Sequence, residues 1–374
     1  MILHELELRH LRLPLVSPFS SAKDVQTHRD VLVIRVGTDQ GDGWSECVAM
    51  NAPTYSAEWV DGAEMVIATH LWPRLGGELS AADITDRVSG IIGHPMAKAA
   101  VEAAVLDAEL RSSQLSLHDL FGRHRDRVPA GIAIGVIGDL DELLAQARQA
   151  AHDGYRRIKI KIGPGWDLEP VRCVRQAIGP DLALQVDANG TYHRSDIAHL
   201  GRLDDLDLVM IEQPFAPDDL ISHIHLGEVA TTPVCLDESI ISLATAATAI
   251  ELGAAQVISI KPGRVGGYLE ARRIHDLCMA AEVPVWCGGM LETGLGRAPN
   301  IALAALPGFT LTGDLSASER FYSHDIVIDP VTLDDGYVKV PTSPGLGFEI
   351  DHDYLDSVTI SSRVIPPATS QTAN

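Results

Sequence analysis

From about residue 128 the chain alternates short apolar runs with longer amphipathic stretches. The runs are Pro129 to Val136, Arg156 to Ile162, Leu182 to Asp187, Leu206 to Glu212, Pro233 to Asp237, Gln256 to Lys261 and Val283 to Cys287, with a shorter one at Phe309 to Gly313. Helices are predicted between them, among others from Asp139 to about Asp153, from near Asp167, and over Gly296 to Ala305. A parallel strand covered on both faces reads as an unbroken Val/Ile/Leu run, and a regular repeat with a helix between runs marks successive βα units. The pattern predicts an α/β fold, a modified TIM barrel of the (β/α)7β type, over residues 126–320.

Residues 1–125 lack this period. Met1 to Leu15 and Val31 to Val36 read as antiparallel strands, the second entering a Gly-rich turn at Gly41 to Gly43. Between them lies Pro18 to Asp30, polar and aperiodic, which is either a plain connection or a mobile substrate lid carrying Phe19. From Ser56 to Leu120 the pattern turns helical, and Ala97 to Arg111 combines strong helix formers with an apolar stripe. From about Phe321 the barrel pattern is lost, so residues 321–374 are expected to rejoin residues 1–125 in an α+β capping domain. The polar, Pro-containing end from Ser361 is expected to be disordered.

Several apolar runs end in charged residues: Lys159 and Lys161, Asp187, Glu212, Asp237 and Lys261. From Asp187 to Lys261 they recur about every 25 residues. In a barrel the C-terminal ends of the strands converge on one mouth. Three carboxylates gathered there repel one another unless a cation joins them, and all-oxygen ligation selects a hard ion, magnesium before manganese or calcium. The competing role for each acid alone is to cap the helix that follows. Asn189, Gln213 and Glu238 follow the three acids closely, and Asn189 and Glu238 are candidates to support them from behind. Lys159 and Lys161 stand two apart on one strand and share a face. Paired inward ammoniums are expected to depress each other's protonation and so yield a usable base. Lys261 ends the sixth strand, opposite the second, which puts a lysine on each face of a bound substrate and suits removal of a proton next to a carboxylate. Arg264 is either a rim charge or a substrate-positioning group. Gly289, Met290 and Glu292 follow the seventh strand, where glycine permits close approach of backbone to ligand. His223 and His225 are expected on the solvent face of a helix.

Composition narrows the classes further. The chain has 374 residues with a formal net charge of −22 and no basic stripe, which argues against nucleic acid and anionic membranes as partners. Five cysteines without a CxxC pair point to reduced thiols and a cytoplasmic location. No run is apolar enough to span a bilayer.

The stretches IKIKIGPGWD, QVDAN, IEQP, CLDESI, IKPGRVGGYLEARRIHD and WCGGMLETGLGRAPNIALA, with WSECVAM and the Arg320 to Tyr322 triplet, resemble the enolase superfamily. Within it they are similar to the o-succinylbenzoate synthase/N-succinylamino acid racemase group, over nearly the whole chain. The resemblance implies magnesium, with manganese as a substitute, on Asp187, Glu212 and Asp237. It implies Lys161 and Lys261 as acid/base pair, with Lys159 tuning Lys161. It implies an arginine of the racemising members at Arg264, and substrate contacts from Phe19, Met50 and Phe321. Ala133 stands where some relatives place a serine near the acyl group. The implied activities are racemisation of N-acylamino acids and dehydration to o-succinylbenzoate in menaquinone biosynthesis, on a small carboxylate substrate, in an assembly of identical chains. Dipeptide epimerase and muconate cycloisomerase are the alternatives, and a silent binding barrel is the non-enzyme one. Dipeptide epimerases usually carry Asp-x-Asp after the eighth strand, whereas here GDLSAS offers only Asp314.

Overall fold

The structure, a computed structural model, describes residues 1–20, 25–136 and 138–367. The chain opens with β1 (Leu3–Ser20), β2 (Val25–Thr38) and β3 (Gly41–Cys47). After a helical region come β4 (Arg127–Pro129) and then β5 (Gly131–Ile134), β6 (Arg157–Lys161), β7 (Ala183–Asp187), β8 (Ile211–Glu212), β9 (Val234–Leu236), β10 (Val257–Ile260) and β11 (Val285–Cys287). Two late strands, β12 (Tyr337–Lys339) and β13 (Thr359–Ile365), complete the set.

Both ends of the chain build one antiparallel sheet in the order β13-β1-β2-β3. Leu6, Leu8, Leu11 and Leu13 of β1 are buried, and the pairing to β13 shifts between His10 and Leu11, a bulge that re-aims the strand. Ser361 to Ile365 therefore form part of an edge strand, where disorder was expected. The polar stretch expected as a loop is also largely strand: β1 and β2 extend into it and pair at Phe19 with Gln26. The Phe19 side chain and residues 21–24, the heart of the expected lid, lie outside the described residues. The helix Pro95–Ser112 packs across β3, and Gly43 is what lets it come close. A Cβ on Gly43 would sit 2.0 Å from the Ala104 carbonyl oxygen.

Seven parallel strands run in sequence order from β5 to β11. The eighth expected strand, Phe309 to Gly313, is not a strand. It bridges the two sheet edges instead: Gly131 N donates to Gly313 O at 3.0 Å, and Asp314 N donates to Cys287 O at 2.9 Å. Sheet and helices bury a continuous core that includes Ile158, Ile160, Leu184, Val186, Leu236, Ile258 and Ile260. The strand register places the chemistry: Lys161 pairs with Asp187, and Asp187 with Glu212. Among the described residues no helix is long and apolar enough to cross a membrane.

Candidate active site

The helices after the strand-end acids are capped by other residues. Asp219 accepts from Ser222 N and Ser242 from Thr245 N, so Glu212 and Asp237 are free of capping duty. Asp187 precedes a turn rather than a helix, and its Oδ1 accepts from Asn189 N at 2.9 Å. The three acids are instead buried at the barrel mouth, at most 1% exposed.

One cavity collects most of the predicted residues. Lys159, Lys161, Lys261, Asp187, Asn189, Glu238, Met50, Ala133, Gly289, Met290, Glu292 and Phe321 line it. Lys161 Nζ donates to Asp187 Oδ2 at 2.6 Å and to Asn189 Oδ1 at 2.7 Å. Lys159 Nζ donates to Asp314 Oδ2 at 2.6 Å and to Glu212 Oε2 at 3.0 Å. Lys261 Nζ donates to Asp237 Oδ2 at 2.8 Å and to the Tyr55 hydroxyl at 3.1 Å. Gly288 makes room for Lys261, since a Cβ there would lie 2.5 Å from its Cε.

For Lys159 these pairings overturn the expected suppression. Burial alone would lower the Lys159 pKa, but Asp314, Glu212 and Asp187 together outweigh it and raise it. Lys261 is likewise raised, because Asp237 and Tyr55 outweigh its burial. The carboxylates divide in the same way. Burial pushes Asp187 up, but Lys161 and Lys159 bring it below its ordinary value. Arg264 and Lys261 do the same, more strongly, for Asp237. Glu212 goes the other way: burial and the charge of Asp187 push it up to about 8. Burial, Asp237 and Asp187 raise Glu238 as well.

Arg264 is not a cavity residue. It is buried behind Asp237, donating to Asp237 Oδ1 through Nη1 and to the Ile240 and Ser259 carbonyls at 2.8 Å each. Glu292 touches the cavity but spends both oxygens on structure, accepting from Met290 N and Asn300 Nδ2. His223 is buried too, with Nδ1 2.7 Å from the Asp219 carbonyl and its ring edge-on to Phe215. Tyr55, Asp314, Arg297 and Ser316 line the cavity and were not among the predicted residues. Asp314 had a signal, as the acid after the closing segment, and was weighed only as half of a missing motif. Tyr55 had none, because it reaches Asp237 from a polar loop 182 residues away.

Among the described residues, no three His, Cys, Asp or Glu groups close on an ion as placed, and the lysines pair with all three strand-end acids. The donor set nevertheless fits a hard divalent cation. It is all oxygen, and two carboxylate oxygens at the mouth, Glu212 Oε1 and Glu238 Oε2, are buried with no hydrogen-bond partner among the described residues.

An acid-lined barrel mouth beneath an antiparallel cap defines the class. Residues 4–122 match the mandelate racemase/muconate lactonizing enzyme N-terminal domain, and residues 142–354 match the enolase C-terminal domain-like family. The chain belongs to the enolase superfamily. Within that superfamily it falls in the group of N-succinylamino acid racemases and o-succinylbenzoate synthases. It is 51% identical over 361 residues to the N-succinylamino acid racemase of an Amycolatopsis species, covering 96% of this chain and 98% of the relative. It is 41% identical over 356 residues to the o-succinylbenzoate synthase of Bacillus subtilis, covering 94% and 95%. A solved enolase-superfamily structure from Listeria innocua matches with a TM-score of 0.94 at 38% identity, over 98% of this chain and 99% of that one.

Proposed function

We propose that this enzyme racemises N-acylamino acids by moving the α-proton between Lys161 and Lys261, and that the same site dehydrates the cyclohexadiene precursor of o-succinylbenzoate. The observation that carries the reading is the placement of these two lysines. They end strands four apart in the ring order, and both line the one cavity. Racemisation needs a proton acceptor on one face of the substrate and a proton donor on the other. Either lysine serves as acceptor when neutral and as donor when protonated, so the two directions of reaction exchange their roles. Asn189 orients Lys161, and Tyr55 orients Lys261, each through one hydrogen bond.

Asp187, Glu212 and Asp237 would hold magnesium, or manganese in its place. Such an ion supplies positive charge for the substrate carboxylate as the α-proton leaves. Asp187 and Asp237 would then serve both that ion and the lysines they pair with. Lys159 keeps Asp314 and Glu212 in place from below. Dehydration needs only one face: Lys161 removes the proton and returns it to the departing hydroxyl, while Lys261 contributes its charge. The Amycolatopsis and Bacillus relatives carry the two names at 51% and 41% identity, which supports a site competent for both.

The test is a side-by-side assay of N-succinylphenylalanine racemisation and dehydration of the cyclohexadiene precursor, with magnesium present. Turnover of the amino acid in both directions is expected. No turnover of either substrate contradicts the proposal.

A further inference from the structure

Among the described residues, four cations line the cavity: Lys159, Lys161, Lys261 and Arg297. Each lysine has a carboxylate partner within 3.0 Å. The buried arginines just behind the wall are paired as well, Arg157 with Asp314 and Arg264 with Asp237. Arg297 alone among these has no carboxylate partner among the described residues. It is 2% exposed and rises from the helix Gly294–Ala304, which follows β11. Its Nη1 donates to the carbonyl and hydroxyl of Ser316, at 2.8 and 3.1 Å, and its Nη2 donates to Glu292 O at 2.9 Å. Its Nε has no hydrogen-bond partner among the described residues. The Phe321 ring lies 5.2 Å from the guanidinium carbon, a contact that eases but does not cancel a buried charge.

Burying a guanidinium without a counter-anion is costly, and a cavity wall is where a ligand can supply the anion. The position points the same way. Arg297 and Ser316 follow the seventh strand and the closing segment. By strand order these lie across the ring from β7 and β8, which carry Asp187 and Glu212. A substrate whose α-carboxylate sits on the Asp187 side would reach Arg297 with the far end of its N-acyl group.

We propose that Arg297 selects substrates by charge, binding a second carboxylate at the end of the N-acyl group with the Ser316 hydroxyl beside it. This rests on the N-acylamino acid reading and adds the residue that sets acyl preference. A guanidinium suits the task because its fork meets a carboxylate with two parallel hydrogen bonds. The same uncompensated charge would repel a cationic N-terminal group.

The test compares two N-acylphenylalanines of equal shape, the succinyl compound and its neutral succinamoyl amide, by α-proton exchange in heavy water. The wild type is expected to favour the succinyl compound in kcat/KM by at least about tenfold, the range of a charged hydrogen bond. Arg297→Met should erase most of that ratio, chiefly through KM, and Arg297→Lys should keep part of it. Ser316→Asp places a counter-ion beside the guanidinium and should erase the ratio too, so the test stands even if Arg297→Met does not fold. If wild type, Arg297→Lys and Ser316→Asp share one ratio, the proposal is overturned and Arg297 merely ties Glu292 to Ser316. A wild type active on both compounds without preference overturns it while sparing the racemase reading. Inactivity on both overturns the racemase reading and this proposal with it.

Discussion

Two regions of this molecule bury carboxylates, and they neutralise them differently. At the barrel mouth Asp187, Asp237 and Asp314 meet ammonium and guanidinium groups, and those cations bring all three pKa values below normal despite burial. Where cap meets barrel, Glu46 and Glu102 meet N–H and O–H donors instead. Glu46 accepts from the backbone and hydroxyl of Thr293, and Glu102 from the backbones of Tyr268 and Leu269. Burial dominates there and pushes the two carboxyls up to about 8 and about 7. Carboxylates held by movable cations can change partners during a reaction. Those held by helix N-termini fix the cap on the barrel and have nowhere to go. Glu212 stands at the mouth yet behaves like the junction acids, at about 8 and with one oxygen unsatisfied. Its single ammonium partner, Lys159, does not offset its burial beside Asp187, and positive charge is what a divalent cation would bring.

The largest effects should come from the mouth. Chelation should cut activity by about 1,000-fold or more, with magnesium or manganese restoring it. Glu212→Gln should lower metal affinity in calorimetric titration while the protein stays folded, because the change is nearly isosteric. Full activity of metal-free protein, or unaltered metal affinity in the variant, would break the contrast drawn here.

A smaller effect is expected at the junction. Glu46→Ala leaves Thr293 N and its hydroxyl without an acceptor and should cost about 2–3 kcal/mol in urea unfolding. A loss within error would make the junction acids ornamental. Smaller still is a pH effect at Glu102. Its folded pKa, about 7, lies above its ordinary 4.5. Between those values the folded chain keeps a proton that the unfolded chain releases, so this group makes stability fall as pH rises from about 4.5 to about 7. Glu102→Gln lacks that slope. Its deficit relative to the wild type should be largest at low pH and shrink by about 1–3 kcal/mol across the window. A constant deficit across pH would count against the assignment.

Most of the barrel was legible because parallel strands read as apolar runs, and the acids and lysines were legible because they end those runs in phase. What escaped was contact made across the fold. The closing segment joins two edges by a few scattered backbone hydrogen bonds and forms no regular strand. The β1–β2 hairpin extends through polar residues whose pairing partners lie on the facing strand. His223 is buried because Asp219 and Phe215 receive its ring, which helical spacing alone does not reveal. Arg264 follows Lys261 by one helical turn and reaches back to Asp237, a contact that spacing alone could not separate from a rim charge or a substrate-positioning group. The family motifs pick out the lysines but not the charge balance around them, in which Asp314 takes part through Lys159 and Arg157.

The central claim is that Lys161 and Lys261 serve opposite faces of one substrate. Proton NMR of each enantiomer of N-succinylphenylalanine in heavy water, with Lys161→Ala and Lys261→Ala, tests it directly. Each variant should fail to racemise, yet each should exchange the α-proton of one enantiomer, and the enantiomer should differ between the two. Exchange of the same enantiomer by both variants would contradict the account.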